Sequence, residues 1–189
     1  IKKMTDAIAH RGPDAEGFYC DKNVSLGHRR LAVIDLSDGG KQPMEYRDLL
    51  LIFNGEIYNF IEIKHELTQK GHQFISAADS EVILHAYEEW GEDCVKKLNG
   101  MWAFCIYDKK KNNFFLSRDR FGEKPIYYYW DNDKFIFSSE LKAIREFPLE
   151  LKINKTAVNF YFYQKYIGGN LTIFNSIYKL KPSHNLIVD

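Results

Sequence analysis

The chain has 189 residues, 45% of them hydrophobic, with 26 Lys+Arg against 26 Asp+Glu and a net charge of zero. That length suits one sizeable domain, or one domain and the start of another. The balanced charge excludes recruitment to nucleic acid or to an anionic membrane by bulk electrostatics. Three cysteines, Cys20, Cys94 and Cys105, are odd in number and far apart, so they make neither a disulfide framework nor a zinc knuckle and point to the cytoplasm.

Apolar residues at Ile1, Met4 and Ile8 have helical spacing, so the chain opens inside a helix and reads as a piece of something longer. His10-Arg-Gly-Pro-Asp14 is written in turn residues. Short strands are predicted over 17–20 and 24–28, the second continuing through Leu31–Ile34, before a loop over Ser37–Pro43. A strand over Leu49–Phe53 then runs into Asn54-Gly55. Phe60, Ile63 and Leu67 mark one face of a helix that Gly71 stops, and Val82, Ile83, Ala86, Tyr87 and Trp90 mark a second over 80–90. From Met101 the texture changes. Segments 101–107, 114–117, 126–130 and 135–138 are short, aromatic and separated by polar clusters, the pattern of one antiparallel meander. Met101–Tyr107 is apolar on both faces and should be covered on both; it is far too short to cross a bilayer. Helices are predicted over 140–146 and 155–166, the latter capped by Asn154, and the chain ends in a strand-like Leu186–Val188. Alternating blocks of strands and helices, with 15% aromatic residues, suit a layered α+β fold with stacked antiparallel sheets.

Asn54-Gly55 after an apolar strand is first a hairpin turn, since both residues accept positive φ. The same pair can also present an amide and a backbone N–H to one developing negative oxygen. Asp79, just before a helix, is a natural N-cap. Arg118-Asp-Arg120 reads as a structural ion-pair network, and Arg29 as a surface charge. The six histidines show no metal spacing such as H-x-x-x-H, so no metal is assigned. Cys105, in an apolar run, reads as inert core.

Six segments in order resemble one family. They are His10-Arg-Gly-Pro-Asp14, Leu26-Gly-His-Arg-Arg30-Leu-Ala-Val-Ile34-Asp35, Phe53-Asn-Gly-Glu-Ile-Tyr-Asn59, Asp79-Ser-Glu-Val-Ile83, Arg118-Asp-Arg-Phe-Gly-Glu-Lys-Pro125 and Ser138-Ser-Glu-Leu-Lys-Ala143. Together they resemble the amino-terminal glutaminase domain of the glutamine-hydrolysing asparagine synthetases, an N-terminal-nucleophile amidohydrolase. The resemblance implies an α+β fold, a four-layer α/β/β/α sandwich of two antiparallel sheets, with the first strand missing here. It divides the chain into a glutaminase domain over 1–150 and, over 151–189, the end of that domain and the start of a connection to a synthetase domain.

The resemblance also implies the chemistry, in which a cysteine thiol attacks the side-chain amide of L-glutamine and ammonia leaves. Asn54 and Gly55 match the oxyanion hole, Arg30 the clamp on the substrate α-carboxylate, and Asp79 the partner of its α-ammonium, with Ile34 and Glu56 beside them through their backbones. The family nucleophile is an amino-terminal cysteine whose own amine is the base. No cysteine of this chain matches it, so the 189-residue piece is expected to be inactive and, without the strand that carries the thiol, prone to aggregate. The implied partners are L-glutamine and a carboxy-terminal synthetase domain, with a homodimer left open and neither nucleic acid nor membrane. No cofactor is implied for this domain, while ATP and Mg²⁺ belong to the synthetase domain. Two other readings stay open. Glu123 and the tail Tyr166-Ile-Gly-Gly-Asn170 depart from the synthetase pattern and leave room for an amidotransferase acting on a sugar acid in surface-polysaccharide assembly. A pocket without a thiol also suits a non-catalytic glutamine-binding domain.

Overall fold

The computed structural model describes residues 1–131 and 133–189. In chain order the elements are α1 (Lys2–Ala7), β1 (Ala15–Cys20), β2 (Ser25–Arg30), β3 (Met44–Tyr46), β4 (Leu49–Ile57), α2 (Phe60–Gln69), α3 (Asp79–Trp90) and α4 (Cys94–Lys97). There follow β5 (Gly100–Asp108), β6 (Asn113–Arg118), β7 (Tyr127–Trp130), β8 (Phe135–Ser138), α5 (Leu141–Arg145), α6 (Lys155–Gln164), β9 (Ile177–Lys179) and β10 (Asn185–Val188).

A five-stranded antiparallel sheet in the order β10-β6-β5-β4-β3 forms the centre. One face packs against α2 and α3, where Ile63, Leu67, Val82, Ile83 and Ala86 meet Leu51, Phe53, Phe104, Ile106 and Phe115. The other face meets two smaller antiparallel groups, β1-β2 and β8-β7-β9. There Ala103, Cys105 and Leu116 pack with Ile126 and Leu180, while Leu50 and Tyr107 pack with Val24 and Leu26. Ile144 of α5 and Met4 of α1 pack with Ile136 of β8 and close the outer side. The result is a layered α+β sandwich as expected, except that the second sheet layer is divided into two hydrogen-bonded groups, so that there are three sheets rather than two among the described residues. Side chains such as Leu51, Ile106 and Leu116 are completely buried, each stabilising the fold by about 1.5–3 kcal/mol. β5, between two partner strands and two apolar layers, is buried from Trp102 to Asp108. Residues 151–189 supply β9 to the smaller sheet and β10 to the larger one. Among the described residues no helix is long and apolar enough to cross a membrane.

Four expectations change here. Leu31–Ile34 does not extend β2; Leu31 and Val33 are exposed, and the chain turns back because the Arg30 guanidinium binds the carbonyls of Asp35 and Ser37. The four strands after Met101 are not one meander. β5 and β6 belong to the central sheet, whereas β7 and β8 join β9 in the other layer. The Arg118–Pro125 loop makes that crossing, and it is held by backbone contacts rather than ion pairs. Arg118 donates to the carbonyls of Gly122, Lys124 and Leu180, and Asp119 accepts from the N–H groups of Phe121, Glu123 and Lys124. Finally, Asp79 is not an N-cap. Ala78 holds that position and Asp79 is the first helical residue, its carboxylate turned toward β4. The capping of α6 by Asn154 is as expected, with Oδ1 accepting from Ala157 N–H at 3.1 Å.

Candidate active site

β4 does not turn at Asn54-Gly55. Its pairing with β5 continues across both residues, Asn54 opposite Ala103 and Gly55 opposite Trp102, to Ile57 opposite Gly100. Gly55 is required by close approach, since a Cβ there would lie 2.1 Å from the Met101 carbonyl oxygen and 2.8 Å from Trp102 Cα. Both are backbone atoms that cannot swing aside. Gly55→Ala is therefore expected to split β4 from β5 locally and destabilise the domain by about 1–3 kcal/mol, measured as a lowered midpoint of thermal unfolding.

The pair opens onto a cavity of about 470 Å³, within the range of small-molecule sites. Arg30, Ile34, Asn54, Gly55, Glu56 and Asp79 all line it. They come from four places: the end of β2, the loop after it, the far half of β4, and the first turn of α3. β2 and β8 both border the same hollow, as do Gly27 and Ser138.

Arg30 is almost buried, yet no carboxylate pairs with it among the described residues. Its Nη1 donates to Ser37 O at 2.7 Å and its Nη2 to Asp35 O, which fix the plane of the guanidinium and leave donors over. Gly40 makes this placement feasible, because a Cβ there would stand 2.3 Å from Nη2. Arg29 also borders the cavity, but it is paired with Asp6 and Glu16 and donates to Thr5 O; at 15% side-chain exposure it is not the surface charge expected.

Asp79 accepts from Ile57 N–H at 2.9 Å through Oδ2 and is 8% exposed. Burial raises its pKa, the Ile57 hydrogen bond opposes this, and the charge of Glu56 raises it further. A buried carboxylate held unfavourably charged gains from a cation brought to it. Ile34, more than a third exposed, forms the rim.

Asn54 Nδ2 is buried and has no hydrogen-bond partner among the described residues. An amide that could donate and does not is costly, by about 1–3 kcal/mol, and is explained if the donor serves a visitor. The Phe53 N–H just before it accepts no such freedom; it donates to Gln42 Oε1 at 2.6 Å, which pins this end of β4.

His28 was visible in the sequence only as a histidine without metal spacing. Its Nε2 lies 3.1 Å from Phe53 O, so that nitrogen donates, and Nδ1 is left buried without a partner among the described residues. Burial pushes its pKa down to about 4, with nearby Arg30 adding to the effect and the Phe53 carbonyl opposing it. An unfolded histidine takes its proton near pH 6.5. The unfolded chain thus binds more protons between those values, so stability is complete above pH 6.5 and is lost as pH falls toward 4. The loss is on the order of 3 kcal/mol. Denaturant unfolding followed across that window checks this, and His28→Gln should flatten the slope. Neither His28, Gln42 nor Gly40 could be singled out from the sequence, because each acts through a neighbour distant in the chain.

Cys105 also lines the cavity, but complete burial holds its thiol well above the usual range; burial likewise pushes Cys94 up to about 12. Neither offers a thiolate at neutral pH.

A hollow between stacked sheets, with a buried cation, a buried carboxylate and an unpaired amide donor around it, defines an α+β domain suited to a zwitterionic small molecule. The glutamine amidotransferase domain family matches residues 1–189, and the chain belongs to that family. It is 45% identical over its whole length to a Methanocaldococcus jannaschii protein provisionally named asparagine synthetase (glutamine-hydrolysing) 2. It is 41% identical, over 98% of its length, to asparagine synthetase (glutamine-hydrolysing) 3 of Bacillus subtilis. It spans 41% and 31% of those relatives' lengths. The glutamine phosphoribosylpyrophosphate amidotransferase of B. subtilis shares the fold, with a TM-score of 0.64 at 20% identity, over 76% of this chain and 39% of that one.

Proposed function

We propose that this domain is the glutaminase half of a glutamine-dependent asparagine synthetase, releasing ammonia from L-glutamine for ATP-dependent amidation of aspartate. The observation that carries the reading is the unpartnered Asn54 amide in a cavity shared with Arg30 and Asp79. Arg30 receives the substrate α-carboxylate through its remaining donors, and Asp79 receives the α-ammonium, with Ile34 and Glu56 lining the path between. The substrate side chain then reaches Asn54 and Gly55. A thiolate adds to the amide carbon, and the carbonyl oxygen takes the negative charge against Asn54 Nδ2–H and Gly55 N–H. Protonation of the nitrogen lets ammonia leave and a thioester form; water then attacks the thioester, releasing glutamate and restoring the thiol. The family pattern assigns the thiol to an amino-terminal cysteine, and the buried Cys94 and Cys105 do not take that role.

In this reading the domain itself needs no cofactor. ATP and Mg²⁺ act in a carboxy-terminal synthetase domain of the same parent chain, which works in the cytoplasm and can pair as a homodimer. The test is to give the full-length protein glutamine, ATP and either aspartate or a uronic acid. Glutamate release with asparagine formed only from aspartate is the expected result. Amidation of the uronic acid instead would replace the acceptor, and no glutamate release at all would contradict the glutaminase reading.

A further inference from the structure

A second cluster lies along α3, beyond the turn that carries Asp79. His85 is completely buried between the rings of Tyr46 and Phe74, at centroid distances of 4.0 and 4.2 Å. Its Nδ1 stands 3.0 Å from Nδ1 of His72, which arrives from the loop between α2 and α3. Glu88, one turn beyond His85, places Oε2 3.6 Å from the same His72 nitrogen. One ligand atom from each of these three residues falls within 4.8 Å of the others.

The outward nitrogens decide what the inward ones can do. His72 Nε2 lies 3.3 Å from Glu89 Oε2, whereas His85 Nε2, 3.6 Å from Glu81 Oε1, is buried without a hydrogen-bond partner among the described residues. A neutral imidazole has one N–H, and a carboxylate only accepts. With the His72 Nε2–H turned to Glu89 and His85 in its Nε2–H tautomer, the two Nδ1 lone pairs face each other and Glu88; without a cation, one Nδ1–H must instead donate to the other across the 3.0 Å gap. Three electron-rich atoms converging at this distance call for a cation among them. A carboxylate behind a ligating imidazole, as Glu89 stands behind His72, is also the usual way such a ring is oriented. Glu88 is oriented too, because Oε2 accepts from Tyr46 O–H at 2.7 Å and Oε1 pairs with Arg47.

We propose that His72, His85 and Glu88 form a binding site for a divalent transition-metal ion, zinc by the ligand set. Two imidazoles and one carboxylate match a three-ligand zinc site with further positions open to solvent. Two nitrogens bound to tetrahedral zinc at 2.0–2.1 Å stand about 3.3 Å apart, close to the spacing here. A cleft of about 710 Å³, bordered by Tyr46, His72, Glu88 and Glu89, gives the ion an entrance. The site would fasten the 70–78 loop to α3, and that loop leads directly into Asp79.

The test uses the tag-free chain, stripped with a chelator and desalted, then titrated with Co²⁺ as a visible probe and with Zn²⁺ by calorimetry. Expected are one equivalent bound, a Co²⁺ absorption band displaced by Zn²⁺, and affinity at least about tenfold weaker in His72→Gln and in Glu88→Gln. His65→Gln, an exposed histidine outside the cluster, should bind like the parent. Absence of stoichiometric binding, or binding indifferent to both substitutions, overturns the site. The same holds if a proton on His72 alone satisfies the cluster and metal leaves it untouched. Should the variants fail to fold, imidazole NMR of the parent chain decides. One equivalent of Zn²⁺ shifting both His72 and His85 supports the site, and any other pattern overturns it.

Discussion

Asn54→Ala in the full-length protein should lower kcat for glutamine hydrolysis by about 10²–10³, equivalent to about 2.7–4 kcal/mol of transition-state stabilisation, with KM little changed. The reason for the split is that the Nδ2 donor has no partner among the described residues and, under the proposed function, gains one only when the carbonyl oxygen becomes an anion. Removing it leaves no broken hydrogen bond behind, so the thermal midpoint should not fall. Acceptor amidation with ammonia supplied directly should survive unchanged, since the lost donor belongs to the glutaminase step alone. Steady-state kinetics with glutamine and with ammonia, on parent and variant, provide the comparison. An equal loss with both nitrogen sources would mean that Asn54 serves the fold rather than the oxyanion.

Asp79→Asn should have the opposite signature. If Asp79 faces the substrate ammonium as proposed, replacing this buried carboxylate should remove about 2–5 kcal/mol of binding, seen as a KM for glutamine raised by roughly 30- to several-thousand-fold. The fold, however, should not suffer. The raised pKa of Asp79 means that the folded chain binds its proton more tightly than the unfolded one, whose carboxyl titrates near 3.8. Stability from this group is therefore greatest at low pH and declines as pH rises through the raised value, so at neutral pH the charged form is a burden that Asn lifts. The Asn amide can still accept from Ile57 N–H through its oxygen. The same shift sets the acid side of activity: glutamine binding should weaken as pH falls through the folded-state pKa of Asp79, which burial raises. Kinetics for binding and thermal unfolding for stability, taken on one preparation, separate the two effects.

The layers and most helices were legible because their signal is local. Ile63 and Leu67, or Val82, Ile83 and Ala86, repeat at helical spacing whatever lies above them. The paired segments failed where pairing is decided at a distance. Nothing near Tyr127 says that its partners are Ser138 and Lys179 rather than a strand of the central sheet. Leu31–Ile34 looked like strand because it is apolar, yet the deciding contact is a buried arginine turning back on two carbonyls. Short strands such as Met44–Tyr46 and Ile177–Lys179 carry too few residues for any period to register.

The candidate site was legible in a different way. Arg30, Asn54, Gly55 and Asp79 were picked out by resemblance, and local rules favoured a turn and a cap at two of those places. Both local rules were overridden by neighbours: β5 keeps Gly55 in register, and the Ile57 N–H draws Asp79 away from capping. The supports around them could not be read. His28 and Gln42 act on Phe53 from other strands or loops, and Gly40 matters only because Arg30 passes beside it. The His72–His85–Glu88 cluster was missed for the same reason. A search for two histidines on one helix face overlooks a ligand supplied by the preceding loop.

The most direct measurement is a crystal structure of the chain soaked with L-glutamine. The account expects the α-carboxylate on Arg30, the α-ammonium on Asp79, and the side-chain oxygen within hydrogen-bond reach of Asn54 Nδ2 and Gly55 N. Glutamine bound elsewhere, or lying in this cavity with its amide directed away from Asn54, would contradict it.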